Sequence, residues 1–311
     1  MGHATRPLHD KPSILIGRKG TIDKVRYVEH PFWTVDTLFY SEINEDLVIP
    51  KFLYYRMCTI NFMNYNEGTT IPSLRTETLN RLTLKVPPLA EQRRIAEILG
   101  SLDDKIGLNS AINRNLEEQA RALFKNWFID FAPFGGVVPG EWKEGKLSDF
   151  VNVKYGKDHK KLGDGTIPVY GSGGIMRYVN QFLYDKESVL IPRKGTLNNI
   201  FYISEPFWSV DTMFYTEMLI PNAAKFVYFF MKEKDLESLN AGSAVPSMTS
   251  DILNAMPVVV PSAKALLKYE EIVSPMFKKM DGNNKESIRL AALRDTLLPK
   301  LMSGNAIAAG F

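Results

Sequence analysis

The chain has 311 residues, of which 45% are apolar and 23% charged, with 38 Lys and Arg against 35 Asp and Glu for a net charge of +3. That composition suits two or three domains with buried cores and excludes both a disordered chain and a purely polybasic binder, although charge can still gather on one surface. The lone Cys58 cannot form an internal disulfide or a thiolate metal cluster, no apolar run approaches the roughly 18 residues of a membrane span, and residues 1–7 lack the apolar stretch of a signal peptide, so a soluble cytoplasmic protein is expected.

In chain order, the apolar run 13–16 reads as a strand that ends at the turn Arg18-Lys19-Gly20-Thr21, where glycine permits tight geometry. The aromatic and β-branched stretch 33–40 suits a pleated sheet, and residues 52–57 a short helix. The unit closes on the apolar run 82–87, which ends in proline. All of this is written twice. Residues 13–42 (SILIGRKGTIDKVRYVEHPFWTVDTLFYSE) align without a gap with residues 188–217 (SVLIPRKGTLNNIFYISEPFWSVDTMFYTE), 17 of 30 positions being identical. Chance would give roughly two. At a shift one residue shorter, Gly68 and Pro72 fall on Gly242 and Pro246, and Val86-Pro87 on Val260-Pro261. A period this long is not that of a solenoid; it marks tandem duplication of a β-rich head together with the segment C-terminal to it.

That C-terminal segment reads as a long helix. Ile95, Leu99, Leu102, Ile106, Asn109, Asn113, Leu116, Ala120, Leu123 and Trp127 alternate at spacings of four and three, a coiled-coil seam with a polar break. The second copy holds Tyr269, Val273, Met276, Met280, Asn283, Ser287, Leu290, Arg294, Leu297 and Leu301, with the break at the same place. Pairing of the two seams is expected to run antiparallel and to hold the heads apart on a helical rod, the polar break fixing register. The plainer alternative is that each helix packs on its own head. Gly107 and Pro275 predict a bend or break in one helix each. Residues 128–145, rich in Gly and Pro, read as a linker into the second head.

No catalytic signature stands out. There is no phosphate-binding G-x-x-x-x-G-K-[ST] loop, and the glycine-rich 171–174 lacks the lysine and the following helix. His3, His9, His30 and His159 have no metal-ligand spacing. Pro87-Pro88 is flanked by Val and Leu, unlike the Asn/Asp-Pro-Pro-aromatic motif of amino-methyltransferases. Asp130 with Glu141 and Lys143 is a faint nuclease-like set without a counterpart in the other copy, and Asp36 and Asp211 suit strand-end turns. A non-catalytic chain without cofactor or metal of its own is expected.

Two similar heads suit a ligand with two similar sites, and double-stranded DNA is the expected one. Arg18, Lys19 and Thr21 in the first head, and Arg193, Lys194 and Thr196 in the second, are candidates for phosphates or, for the arginines, guanine. The second head adds Lys154, Lys157, His159, Lys160 and Lys161, interleaved with Tyr155, Tyr170 and Tyr178, and Ser172 in the glycine turn. Where the copies differ just after the matched turn, Asp23 and Lys24 against Asn198 and Asn199, the difference is a candidate for reading different bases, or else drift on a surface turn. The Pro-Phe-Trp segments 31–33 and 206–208 are expected in the core rather than as base-stacking platforms, and the loops 68–73 and 242–247 are weaker DNA candidates.

Two heads carrying S-[IV]-L-I-x-R-K-G-T and P-F-W-x-V-D-T-x-F-Y, each followed by a long helix, resemble the specificity subunits of type I restriction-modification systems. Most characteristic is Val86-Pro87-Pro88-Leu89-Ala90-Glu91-Gln92-Arg93-Arg94-Ile95-Ala96-Glu97-Ile98-Leu99, with FKNWFIDF at 124–131 similar to the family's exit from its central helix. The resemblance implies an α+β fold of two β-rich target-recognition domains separated by long antiparallel coiled-coil helices, with an internal pseudo-two-fold repeat. The domains are then a first target-recognition domain at 1–88, a central helix at 89–130, linker and second domain at 131–261, and a distal helix at 262–311. It further implies a scaffold reading a bipartite DNA target, the rod setting the spacing, with two methyltransferase subunits docked and motor-nuclease subunits joining. S-adenosylmethionine, ATP and Mg would belong to those partners. Gln92, Arg93 and Glu97 are docking candidates, a solvated helix face being equally compatible; a stand-alone bipartite DNA-binding regulator is the alternative function. One departure is plain: the first head has no counterpart of residues 147–175, so it reads as N-terminally shortened, either because the chain begins inside an ancestral gene or because a separate fragment completes it.

Overall fold

The structure, a computed structural model, describes residues 4–239 and 246–303. It divides into two compact units, Met1–Ile112 with Gly282–Phe311, and Asn113–Asp281. In the first unit, β1 (Ser13–Gly17) lies between β2 (Arg26–Val28) and β3 (Leu38–Tyr40), antiparallel to both. Every residue of β1 is buried, as befits the centre of a small sheet. Helix α1 (Pro50–Cys58) starts on a proline whose fixed φ suits a first turn, and α2 (Thr76–Asn80) leads to α3 (Leu89–Phe128). Ile14, Ile16, Ile22, Phe62 and Leu74 form one core. In a second, Phe52 and Tyr55 of α1 pack on Ile95, Ala96 and Leu99 of α3.

In the second unit, the stretch 128–145 read as a linker runs through turns into β4 (Lys143–Lys146). Trp142 is buried there, its ring 5.8, 6.0 and 5.0 Å from those of Phe128, Phe131 and Phe134. After it come β5 (Val151–Tyr155), β6 (Asp164–Gly171), β7 (Gly174–Val179), β8 (Ser188–Pro192), β9 (Phe201–Ile203), β10 (Trp208–Ser209), β11 (Met213–Met218), α4 (Ala224–Lys232), α5 (Ser250–Asn254), β12 (Pro257–Val260) and α6 (Ala263–Met302). The sheets run β5-β11-β8-β9, β10-β6-β7 and β12-β4. Thus β8 and β11 repeat the pairing of β1 and β3, α4 repeats α1, and the apolar run after α5 is a strand.

Helices α3 and α6 have 40 residues each, about 60 Å at 1.5 Å per residue. The expected breaks do not occur: both run unbroken through Gly107 and Pro275, which lie on exposed positions while the buried seam on the other face holds the helix. No seam position is exposed. In the first unit, Arg294 reaches Asp103 at 2.6 Å, and the amide of Asn109, 1% exposed, donates to Glu286 at 2.8 Å and Ser287 at 3.2 Å. In the second, Asn113 donates to the Met280 carbonyl at 3.2 Å and Tyr269 to the Ala120 carbonyl at 3.2 Å. Rising numbers on one helix meet falling numbers on the other, so the pairing is antiparallel in each unit. Leu99, Leu102, Ile106 and Asn109 line it in the first with Asn283, Ser287 and Leu290, and Asn113 and Leu116 in the second with Val273, Met276 and Met280. Gln92 does not face outward for docking: it is buried, accepting from Ile49 N–H and donating to the Leu47 and Pro87 carbonyls.

Lys225 on α4 is 2% exposed, with its ammonium 2.6 Å from Glu270, 3.0 Å from Glu187 and 4.9 Å from the Tyr202 ring centre. Removing one member of a buried ion group strands the other charge, at about 3–5 kcal/mol, whereas replacing both with apolar groups is often neutral. Lys225→Met is therefore expected to lose most of that amount in chemical denaturation, and Lys225→Met with Glu270→Leu to recover a large part of it. Burial alone would raise the Glu187 pKa, but hydrogen bonds from Tyr202 and Lys225 and the lysine's charge outweigh it and hold the carboxyl below its ordinary 4.5. A depressed carboxylate stabilises the fold above its unfolded pKa, and that contribution disappears as pH falls through the folded value. Acid titration of thermal stability should show a loss beginning below about pH 5 that is smaller in Glu187→Gln.

Candidate nucleic-acid interface

Each head builds the same surface from its Arg-Lys-Gly-Thr turn. In the first, Arg18 N–H donates to the Thr37 carbonyl at 2.8 Å, Gly20 N–H to that of Pro72 at 2.8 Å, and Leu74 N–H to that of Arg18 at 3.0 Å. In the second, Arg193 N–H meets Thr212 at 2.8 Å, Gly195 N–H meets Pro246 at 3.1 Å, and Met248 N–H meets Arg193 at 2.8 Å. Lys19 bridges Ser73 as Lys194 bridges Ser247. The matched loops are therefore laced to the turns in both copies; residues 242–245 of the second loop lie outside the described residues. Gly20 and Gly195 have φ of +82° and +90°, the left-handed region that a side chain resists, which is why both turns hold glycine.

The arginines are partly occupied within the fold. Arg18 donates to the Asp36 carbonyl at 3.4 Å and Arg193 to the Asp211 carbonyl at 3.2 Å, with the Arg193 guanidinium 5.3 Å from the Tyr155 ring centre. Lys19, Thr21, Lys194 and Thr196 line the turns, and all four are exposed. The residues that differ between copies have different surroundings in the two heads. Asn198 accepts from Leu236 N–H at 2.9 Å, and Asn199 donates to the Ser172 carbonyl at 2.7 Å, so both side chains brace the second head; Asn198 is nevertheless exposed, as Asp23 and Lys24 are in the first. Ser172 is in turn 2.9 Å from where a Cβ on Gly195 would sit, which brings the glycine turn 171–174 against the basic one.

Of the other candidates, Lys154 lies 3.7 Å from Glu217, and Lys157, Lys160 and Lys161 are exposed on the loop after β5. The Lys157 carbonyl accepts from the Trp208 indole at 2.9 Å, and Asp158, its pKa lowered by the Lys160 N–H, fixes the loop beyond it. His159 is half-buried with Nδ1 unpartnered among the described residues. Tyr170 is half-buried against Phe201 and Phe207, burial pushing its pKa up to about 12. Sequence reasoning passed over Tyr155 as one aromatic among several; it is half exposed, carries Arg193 on its face and bonds Ser250 at 3.0 Å. Its place directly before the lysine-rich loop was the available signal. Asp130, Glu141 and Lys143 are each exposed, Asp130 closing α3 and Lys143 opening β4. The Pro-Phe-Trp expectation holds in the second head, where Phe207 and Trp208 are buried, and fails in the first, where Trp33 is 59% exposed. No described helix is long and apolar enough to cross a membrane.

Two copies of one basic, glycine-hinged surface, each on a β-rich head joined to a long helix, define a duplicated recognition protein. The family described as type I restriction modification DNA specificity domain matches residues 1–118 and 139–290, and the chain belongs to that family. The MjaIX specificity subunit of Methanocaldococcus jannaschii is 26% identical over 94% of this chain and 77% of its own. The HindI specificity subunit of Haemophilus influenzae is 22% identical over 85% and 79%. A crystal structure of a type I restriction-modification S subunit from M. genitalium superposes with a TM-score of 0.62 at 23% identity, covering 96% of this chain and 85% of that one, a likeness of fold.

Gly195→Ala should destabilise the second head by about 1–3 kcal/mol, since both the positive φ and the Ser172 hydroxyl oppose a methyl group. Gly107→Ala, where a Cβ meets nothing within 4 Å, should instead stabilise by about 0.5–1 kcal/mol. Thermal melts of the two variants check the contrast.

Proposed function

We propose that this chain is the DNA sequence-specificity subunit of a type I restriction-modification complex, each head reading one half of a split target. The observation that carries the reading is the recurrence, in both family-matched regions, of the same Lys-Gly-Thr edge on an internally braced turn, with its lysine exposed. Such an edge offers cations to phosphates and so positions a head on a duplex, while side chains that differ between heads discriminate bases. In this reading the basic loop 157–161 lengthens the second head's footprint. Methyltransferase subunits, two of them, and motor-nuclease subunits are the partners, and S-adenosylmethionine, ATP and Mg act in those partners while this chain catalyses nothing itself. The stand-alone regulator is not favoured, since family membership points to an assembled complex.

Mapping of modified adenines in a host that expresses the chain with its methyltransferase should return one split motif; an unmodified genome with an intact complex would refute the reading. Lys194→Ala should weaken DNA binding uniformly across sequences and lower the slope of log affinity against log salt by about one, as expected for a lost phosphate contact.

A further inference from the structure

Within the second unit, Arg193 is held differently from other arginines. Arg121 and Arg177 spend their guanidinium groups on the carboxylates of Glu233 and Asp164, at 2.6 and 3.4 Å. Among the described residues, Arg193 pairs with no carboxylate. Its Nη1 donates to the Asp211 carbonyl at 3.2 Å, and its guanidinium carbon stands 5.3 Å from the centre of the Tyr155 ring. An aromatic face accommodates the charge of a guanidinium without consuming its N–H groups. The remaining donors of Arg193 are thus kept for something outside the fold.

The ring beneath it is fixed on several sides. Tyr155 ends β5 and pairs with Phe214 of β11. Its ring meets that of Phe214 edge-on at 5.0 Å, and Phe214 is fully buried. Its hydroxyl lies 3.0 Å from that of Ser250, the first residue of α5. The next residue, Gly156, donates its N–H to the Met213 carbonyl at 2.9 Å, and a Cβ there would fall 2.0 Å from the Val210 carbonyl. The backbone of Arg193 is tied as firmly, its N–H to Thr212 and its carbonyl to the Met248 N–H, each at 2.8 Å. A tyrosine that only filled the core would be covered; this one is anchored at its edge and tip, half exposed, with a guanidinium on its face.

We propose that Tyr155 is a positioning residue, setting the plane of the Arg193 guanidinium so that its outer edge meets O6 and N7 of a guanine in the half-site of the second head. The inference deepens the DNA reading and rests on it. A phosphate takes a cation from many directions, whereas a base edge lies in one plane and accepts two bonds from a donor fork held in that plane. Lys194 and Thr196, exposed on the same turn, supply the backbone contacts that such a reader needs beside it.

The test uses the full chain in complex with its methyltransferase, and duplexes carrying the motif from modification mapping, randomised one position at a time. Tyr155→Met and Arg193→Gln should each lower the preference for guanine at one shared position by about fivefold or more, the lower end of what a two-bond arginine–guanine contact discriminates. The double variant should lose no more than Arg193→Gln alone, since the tyrosine acts through the arginine. Tyr155→Phe, which keeps the flat face, should retain the preference. Should a thermal melt show Tyr155→Met unfolded, Tyr155→Thr, suited to a strand, takes its place. An unchanged preference in the tyrosine variant, an equal loss of affinity for every sequence, or a loss in Tyr155→Phe as large as in Tyr155→Met would overturn the assignment. So would an unchanged motif in Arg193→Gln with a salt slope lower by about one, the mark of a phosphate contact. All four leave the DNA reading standing; a parent complex without any base preference would overturn both.

Discussion

Each unit is closed by the same constraint: a short aromatic helix of the head must lie against paired long helices whose carboxylates receive its polar tips. In the first unit, Tyr55 donates to Asp103 at 2.6 Å, the same carboxylate that holds Arg294, while Lys51 reaches Asp104 at 3.3 Å. In the second, Tyr228 donates to Glu117, Arg121 pairs with Glu233 at 2.6 Å, and Lys225 takes Glu270. Burial and the neighbouring carboxylates raise the pKa of Tyr55 and Tyr228, so these phenols remain donors across physiological pH. Lys51 and Lys225 stand at matched positions between copies, but the carboxylates that receive them do not; what is repeated is the requirement that an aromatic helix with a polar rim find ion partners on the helix pair.

The polar break in the seam fits that constraint. Asn109 gives up apolar contact at the centre of the pairing, and its amide finds three acceptors on α6 only in the observed register. A slip of one heptad would bury that amide without them, at a cost of about 1–3 kcal/mol. Register therefore rests on a few hydrogen bonds, while affinity between the helices rests on the apolar positions around them.

Much of this was legible in the sequence, for identifiable reasons. The repeat located both central strands, both turns and both head helices, because residues that must be buried or must adopt positive φ were kept in both copies. The seam located both long helices to within a few residues of their ends. Strand β4, Lys-Glu-Gly-Lys, was not legible, since an exposed strand carries no apolar alternation and exists only because β12 pairs with it. The linker was legible as turns from its glycines and prolines, but its packing was not, since the aromatic residues among them decide where the turns settle. Asn198 and Asn199 show the limit at the candidate site, because a residue type suited to adenine is equally suited to a backbone N–H or carbonyl nearby.

The division of the chain has a further consequence. The second unit is one uninterrupted stretch set within the first, whose last part, from Gly282 onward, belongs with residues near the other end of the sequence. As the polypeptide leaves the ribosome, residues 1–112 must wait for the stretch from Gly282 onward. Leu99 and Asp103 remain without Arg294 and Leu297 until those residues have been made. The first unit thus closes only after the whole of the second has been made, and it is this waiting interval that a holding chaperone would have to cover.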